Sequence, residues 1–198
     1  MDAYYLDFET YGKGQSPDPS TDRIITIQFQ RMELETGNAL GKLTILKEWE
    51  GSEAEIVCSF LKHFLSNNPW DFIPVGFNLN FEYHFLRTKA AHLCGTKISE
   101  RYLYYERPYI DLKSTVVMMN GGMFRGAKLS KFSGKEQNGN VIAGYYEEGD
   151  YASIEKYIVD EADAFLKFYS DLLLILSFTG KILLKPKNRQ INHGMGEV

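Results

Sequence analysis

The chain lacks a basic excess. Its 198 residues carry 22 Lys and Arg against 26 Asp and Glu, a formal net charge of -4. No global positive field therefore advertises a nucleic-acid partner. Divalent cations held by acidic side chains would reverse that sign locally, where a phosphate must sit. Cysteine is scarce, with Cys58 and Cys94 alone. Such a pair supplies no disulfide framework and no Cys/His zinc spacing, so the expectation is two reduced thiols in a cytoplasmic protein. No signal-peptide pattern stands before the first predicted strand. Long apolar runs are missing too. The most apolar stretch, Leu172 to Leu184, is broken by Gly180 and Lys181 and is too short to span a bilayer, so no membrane partner is expected. There is no internal repeat and no low-complexity segment. What remains, 44% hydrophobic and 24% charged residues, fits one globular domain with a full core.

What is present begins at the start of the chain, Tyr4-Tyr5-Leu6-Asp7-Phe8-Glu9-Thr10. Its aromatic and aliphatic residues favour a strand. Residues two apart in a strand share a face, so Asp7 and Glu9 point one way while Leu6 and Phe8 point the other. Two like charges side by side repel, and a divalent cation would turn the repulsion into attraction. Hard oxygen ligands suit magnesium or manganese. The simpler alternative is an edge strand with a solvated acidic face.

Further elements follow in order. Tyr11 to Asp22, with Gly12, Gly14, Pro17 and Pro19, is a loop by composition. Arg23 to Arg31 alternates Ile25, Ile27 and Phe29 against Thr26 and Gln28, the pattern of a half-buried strand. Lys42 to Glu48 predicts a third strand, and short turns between these three predict an antiparallel meander. Ser52 is placed to cap a helix running to about Leu65.

A second informative stretch is Ile73 to Leu86, IPVGFNLNFEYHFL. An apolar strand ends at Gly76, and a helix starts near Asn78 to Asn80, either of which could cap it. A strand that feeds directly into a helix places polar residues where α/β sheets bind ligands. Glu82 falls in the first helical turn, where a glutamate is also simply favourable. His84, two residues on, points elsewhere and is expected to be structural. Residues 87–135 then interleave ten cations with aromatics such as Tyr102, Tyr104, Tyr105, Tyr109, Phe124 and Phe132. This pattern is either a single-strand track or a solvated surface over a core. Asp111 is placed to cap a helix over 112–119 that ends at Asn120-Gly121-Gly122. Leu129 to Phe132 predicts a short helix, and Gln137 to Gly144 a hairpin or loop.

The third informative stretch is a long helix from its cap at Asp150 to about Phe178. Ile154, Ile158, Ala162, Phe165, Tyr169, Leu172 and Leu176 form its apolar stripe. At the helical angular period Glu161 lies within roughly 40° of the stripe's centre, with Tyr157 one turn before it. Asp160 and Asp163 fall on the polar face. A carboxylate on a buried stripe is costly unless paired or metal-bound. No cation shares that inner face, so Glu161 must meet a partner from elsewhere in the fold.

Together these stretches read Asp-x-Glu on a first strand, Gly-x-Asn-x-x-Phe-acid after a later strand, and Tyr-x-x-x-acid on a late helix. This order resembles the DEDD superfamily of 3′–5′ exonucleases, with the ribonuclease H-like fold. The tyrosine of the last motif resembles the DEDDy branch, which includes the proofreading domains of family-B DNA polymerases. Leu6-Asp7-Phe8-Glu9-Thr10 matches the first motif. Gly76 to Glu82 matches the second and Tyr157 to Glu161 the third, each with Glu where the family usually has Asp. Asp160 is the alternative ligand if the helix register differs. Ile110-Asp111-Leu112 also resembles a strand segment of polymerase-type members. The resemblance spans Ala3 to Tyr169, so 1–179 is expected as an exonuclease-like domain and 180–198 as a C-terminal tail.

The resemblance implies an α/β fold with a central mixed five-stranded sheet, the first three strands antiparallel and helices on both faces. It implies removal of nucleoside monophosphates from a 3′ end of single-stranded DNA or RNA. Asp7, Glu9, Glu82 and Glu161 would hold two divalent cations, Mg2+ or Mn2+, and Tyr157 would orient the attacking water. Thr10 and Asn78 would hold the terminal nucleotide, with Phe81 against its base. The chain is too short to include a polymerase, so a proofreading role would need a separate polymerase or repair partner. A catalytically silent binding module and a nuclease that cuts internally or trims RNA are the alternatives.

Overall fold

The computed structural model describes residues 2–14, 16–133 and 141–183. Strand β1 (Ala3–Tyr11) is its centre. It runs antiparallel to β2 (Arg23–Met32) on one side. On the other it runs parallel to β4 (Ile73–Gly76). Strand β3 (Thr44–Lys47) pairs antiparallel with β2, and β5 (Ile110–Asp111) pairs parallel with β4. The sheet order is β3-β2-β1-β4-β5. This is the mixed five-stranded sheet the sequence implies, with its first three strands antiparallel.

Alternation along β1 divides the core. Leu6 and Phe8 face one side, where α1 (Glu53–Phe64) and α2 (Asn80–Cys94) cover them with Phe60, Phe64, Tyr83 and Leu86. Ala3 and Tyr5 face the other side, under Ala162, Phe165 and Tyr169 of α6 (Tyr151–Leu183). Helix α3 (Lys113–Met119) completes that face with Val116 and Val117. Short helices α4 (Leu129–Ser133) and α5 (Ile142–Glu148) pack on α6. Asp7 and Glu9 continue the Ala3–Tyr5 face of β1 and so look toward α6.

Local signals set the helix ends. Ser52 accepts a hydrogen bond from the Glu55 backbone N–H at 3.2 Å, which is half of a capping box. Asp150 accepts from Ser153 N at 3.1 Å and starts α6, which runs on to Leu183. Residues 184–198, most of the expected tail, lie outside the described residues. No described helix is long and apolar enough to cross a membrane.

Four expectations are corrected. Strand β2 is covered on both faces, so Thr26 and Gln28 are buried as deeply as Ile27. The β1–β2 pairing passes from Glu9↔Thr26 to Thr10↔Ile24, making Ile25 the extra residue of a bulge. The bulge turns Ile25 to the α6 side, with Ile142, Ile154 and Ile158, while Ile27 and Phe29 stay with α1. Residues 142–144 open helix α5 instead of a loop, because Ile142 is fully taken into that cluster; 137–140 lie outside the described residues. Neither Asn78 nor Asn80 caps α2 through its side chain. Finally, Cys58 and Cys94 form a disulfide rather than two free thiols. Helices α1 and α2 lie side by side, which brings these Cα atoms to 5.7 Å across 36 residues of sequence. The argument from reduced thiols to a cytoplasmic location loses its premise.

Candidate metal centre

Three elements deliver acidic side chains to one place. Strand β1 supplies Asp7 and Glu9 from the same face, and α6 lies over that face. Glu161 sits on the buried side of α6, one residue before Ala162 and one turn after Tyr157. Carboxylate oxygens of Asp7, Glu9 and Glu161 all lie within 4.8 Å of one another. Asp160 is exposed on the opposite side of the helix, so the register leaves Glu161 as the inward carboxylate.

Glu82 arrives from the other side, in the first turn of α2. It is 3% exposed, and its Oε2 has no hydrogen-bond partner among the described residues. Burial pushes its carboxyl well above the usual carboxylate range, and the charge of Asp7 adds to the effect. A hydrogen bond from its own backbone N–H pulls the other way; the charge of Asp111 and a hydrogen bond with Asp7 push it higher still. A buried carboxyl beside a second carboxylate is held either by a proton or by a cation. His84 is exposed and takes no part.

Tyr5 lies at the meeting point. Its ring is fully buried against Phe165, and its hydroxyl stands 3.4 Å from Asp7 Oδ2. Burial first, then the charges of Asp7, Glu161, Glu9 and Glu82, hold that hydroxyl protonated far above its ordinary range. All four carboxylates are thus close enough to act on one buried hydroxyl. Tyr157 is buried as well. Desolvation, the charges of Glu161 and Glu9, a hydrogen bond with Glu161 and the charge of Asp7 keep it protonated.

Two residues outside the sequence expectations support the site. Gln28 donates from Nε2 to Asp7 Oδ2 at 3.0 Å and accepts from the Thr26 hydroxyl at 2.9 Å. Two buried polar residues of a central strand thereby aim one carboxylate. The sequence signal was their side-by-side placement opposite the Asp-x-Glu strand, hidden by reading β2 as half-exposed. Asp111 Oδ1 accepts from Asn78 N at 2.8 Å and from Lys113 N at 2.9 Å. The second bond is the helix cap the sequence predicts; the first clamps the β4–α2 junction.

That junction bends through Asn78, whose φ of 70° lies in the left-handed region that asparagine tolerates better than most residues. Asn78 is exposed there. Gly76 precedes it, and a Cβ at Gly76 would lie 2.7 Å from the Leu6 carbonyl, so the close approach to β1 requires glycine. Thr10 is half-buried beside the β2 bulge, and Phe81 is half-buried with its ring 4.8 Å from that of Phe85.

The donor set is entirely carboxylate, three of its members within one ion's reach and the fourth carrying an orphaned buried oxygen. Hard divalent cations that take oxygen ligands fit such a set, and soft thiolate-seeking metals do not. Asp7 faces both the Glu9–Glu161 pair and Glu82.

No protein-family model matches the chain, and no curated protein matches it. Solved structures do. The zinc-bound form of the E. coli ExoI–ssDNA complex superposes with a TM-score of 0.59 at 13% identity, over 92% of this chain and 44% of that one. E. coli exonuclease I in complex with a dT13 oligonucleotide gives 0.58 at 13% identity, over 92% and 42%. The family B DNA polymerase of the hyperthermophilic archaeon Pyrobaculum calidifontis gives 0.57 at 16% identity, over 88% and 24%. This chain spans less than half the length of each. At such identities the likeness establishes a shared fold, the one the sequence motifs imply.

Proposed function

We propose that this chain is a divalent-metal-dependent 3′–5′ exonuclease that removes nucleoside monophosphates from single-stranded nucleic acid. The observation that carries this reading is the gathering of Asp7, Glu9 and Glu161 carboxylate oxygens within 4.8 Å of one another, with the buried Glu82 carboxyl beside Asp7. The fold shared with exonuclease I, a protein solved with a bound oligonucleotide, supports the same substrate class.

In this reading Asp7, Glu9 and Glu161 hold one cation, and Asp7 and Glu82 hold a second, both Mg2+ or Mn2+. When bound, two such ions polarise a phosphodiester, activate a water and stabilise the leaving 3′ oxygen. Gln28 fixes the Asp7 carboxylate so that one oxygen stays turned to the ions. Tyr157 remains protonated, which suits orienting the attacking water and not accepting its proton. Asn78 and Thr10 hold the terminal nucleotide, and Phe81 packs on its base. A proofreading role would need a separate polymerase or repair partner.

The test is degradation of 5′-labelled DNA and RNA single strands of one sequence, in magnesium and in manganese. Stepwise shortening from the 3′ end that disappears in Asp7→Ala supports the proposal. Internal cuts, or equal activity in Asp7→Ala, sink it. Strand binding with no cleavage under either cation would favour a silent binding module, the reading that the two Glu-for-Asp positions feed.

A further inference from the structure

The interleaved cations and aromatics of 87–135 do not form one continuous track. In the first half four of the five cations are already engaged. Arg87 pairs with Glu100, Lys89 with Glu53, and Arg101 with Glu106. Arg107 is buried, donating to the Phe64 and Phe72 carbonyls. Tyr104 and Tyr109 close an aromatic cluster around Tyr83. Tyr105 does stand out at 86% exposure, but it shares its hollow with Glu100, Arg101 and Glu106, whose charges are already taken up in ion pairs.

The second half is different. From Leu112 to Lys135 the sequence holds Lys113, Arg125, Lys128, Lys131 and Lys135 and no Asp or Glu, in a chain whose net charge is -4. The loop joining α3 to α4 is built from within. Asn120, nearly buried, donates to the carbonyls of Met123 at 2.6 Å and Arg125 at 3.2 Å, and accepts from Lys131 Nζ at 2.7 Å. Ala127 and Leu129 anchor the far end in the core. This wiring turns the polar backbone inward and leaves Met123 and Phe124 outward, at 62% and 75% exposure. Arg125 and Lys128 are exposed beside them, and no ion pair engages either among the described residues. The loop is also tied to the acidic site: Lys113 Nζ donates to the Ala127 carbonyl at 2.9 Å and lies over the Phe77 ring, two residues from Asp111 and one from Asn78.

We propose that the loop from Asn120 to Lys128 is a docking surface for the body of a nucleic-acid single strand. Phe124 and Met123 lie against bases, and Arg125 and Lys128 pair with phosphates. Single strands offer unstacked π-faces and phosphates together, which is the pairing this loop presents. A protein partner would use the apolar pair but would not account for a segment, Leu112 to Lys135, that holds five cations and no acidic residue. The inference extends the exonuclease reading, since the strand gripped here would be the one whose 3′ end enters the acidic site.

The experiment is fluorescence anisotropy of a labelled oligothymidylate in EDTA, which stops hydrolysis. Phe124→Ala should weaken binding about tenfold, the loss of one stacked base, with an unchanged melting temperature because the ring is solvent-exposed. Phe124→Trp should keep affinity, and its emission should fall when the strand binds. Arg125→Ala with Lys128→Ala should reduce the slope of log K against log salt by about 1.4, two single-strand phosphates. Wild-type affinity in Phe124→Ala and an unchanged slope in the double variant overturn the proposal. So does concentration-dependent self-association that Phe124→Ala abolishes while strand affinity stays the same. The two readings fail separately. Absence of hydrolysis under any cation, with the tenfold loss present, removes the exonuclease and keeps the docking surface. Hydrolysis with no effect at Phe124 does the reverse.

Discussion

Gln28 and Asp7 sit across from one another on adjacent antiparallel strands, with the amide donating to the carboxylate at 3.0 Å. Gln28 is fully buried while Asp7 is half-buried, and the other end of the amide is satisfied by the Thr26 hydroxyl. Nothing about sheet stability demands two polar residues there; an aliphatic pair would fill the same space without a desolvation cost. Their presence makes sense as an orienting device. Asp7 is the residue shared between the Glu9–Glu161 cluster and Glu82, so a rotation of its carboxylate would disturb both.

Gln28→Leu should therefore lower apparent divalent-metal affinity by about 10–100-fold, the usual effect of losing a group that orients a ligand. Titration of Mg2+ or Mn2+ against intrinsic fluorescence reads this without any turnover. Activity should recover at saturating metal. Loss of activity that excess metal does not restore would mean Gln28 does more than hold Asp7.

Tyr157 gives a prediction about rate rather than metal. Its ring packs with Ile154 and Ile158, so Tyr157→Phe should fold normally and bind metal like the parent. The rate should fall roughly 100-fold through misplacement of the attacking water. Because burial, the largest influence on it, keeps the hydroxyl protonated, the parent's pH–rate profile should show no step from tyrosine ionisation near pH 10. A step there that vanishes in the Phe variant would make Tyr157 a base.

Local periodicity made the acidic strand and the acid-bearing stripe of α6 legible, while the mixed five-stranded sheet came from the resemblance carried by the motif order. Asp7 and Glu9 share a face by strand alternation alone, and Glu161 is inward by helical angle alone. What stayed hidden depends on packing between distant segments. Thr26 and Gln28 look like an exposed face until α6 is known to cover it. Cys58 and Cys94 look unrelated until α1 and α2 lie side by side. The bulge at Ile25 breaks the alternation that a pattern reading extends through it. Asp111 was legible as a cap for α3, but its hold on Asn78 crosses between parallel strands.

That hold separates two roles of the β4–α2 junction. Asp111→Ala leaves the Asn78 and Lys113 N–H groups without their acceptor and should cost about 1–3 kcal/mol of stability in thermal or urea unfolding. Asn78→Gly keeps the left-handed backbone available and removes only the amide. Its stability should shift by no more than about 1 kcal/mol, while the KM for a single-stranded substrate rises. Equal KM in Asn78→Gly would make Asn78 a backbone hinge with no hold on the nucleotide.

Glu82 links the site to stability. Its folded-state pKa is raised, by burial first and by Asp7 next. A carboxyl shifted this way favours folding when protonated. That contribution is fully present below the unfolded pKa of about 4.3 and is lost as pH rises through the higher folded value. The metal-free protein should therefore melt at lower temperature as pH climbs from about 5 toward neutrality and above. Glu82→Gln carries no such charge, so its melting temperature in EDTA should be higher than the parent's at pH 8 and depend less on pH over this interval. Divalent metal supplies the parent with the missing counter-charge and should raise its melting temperature at pH 8 more than that of Glu82→Gln. Circular dichroism melts of both proteins, with EDTA and with Mn2+, read all four quantities. A parent whose metal-free stability climbs between pH 5 and 8, or a Gln variant stabilised equally by metal, would place the orphaned Glu82 oxygen outside the cation site.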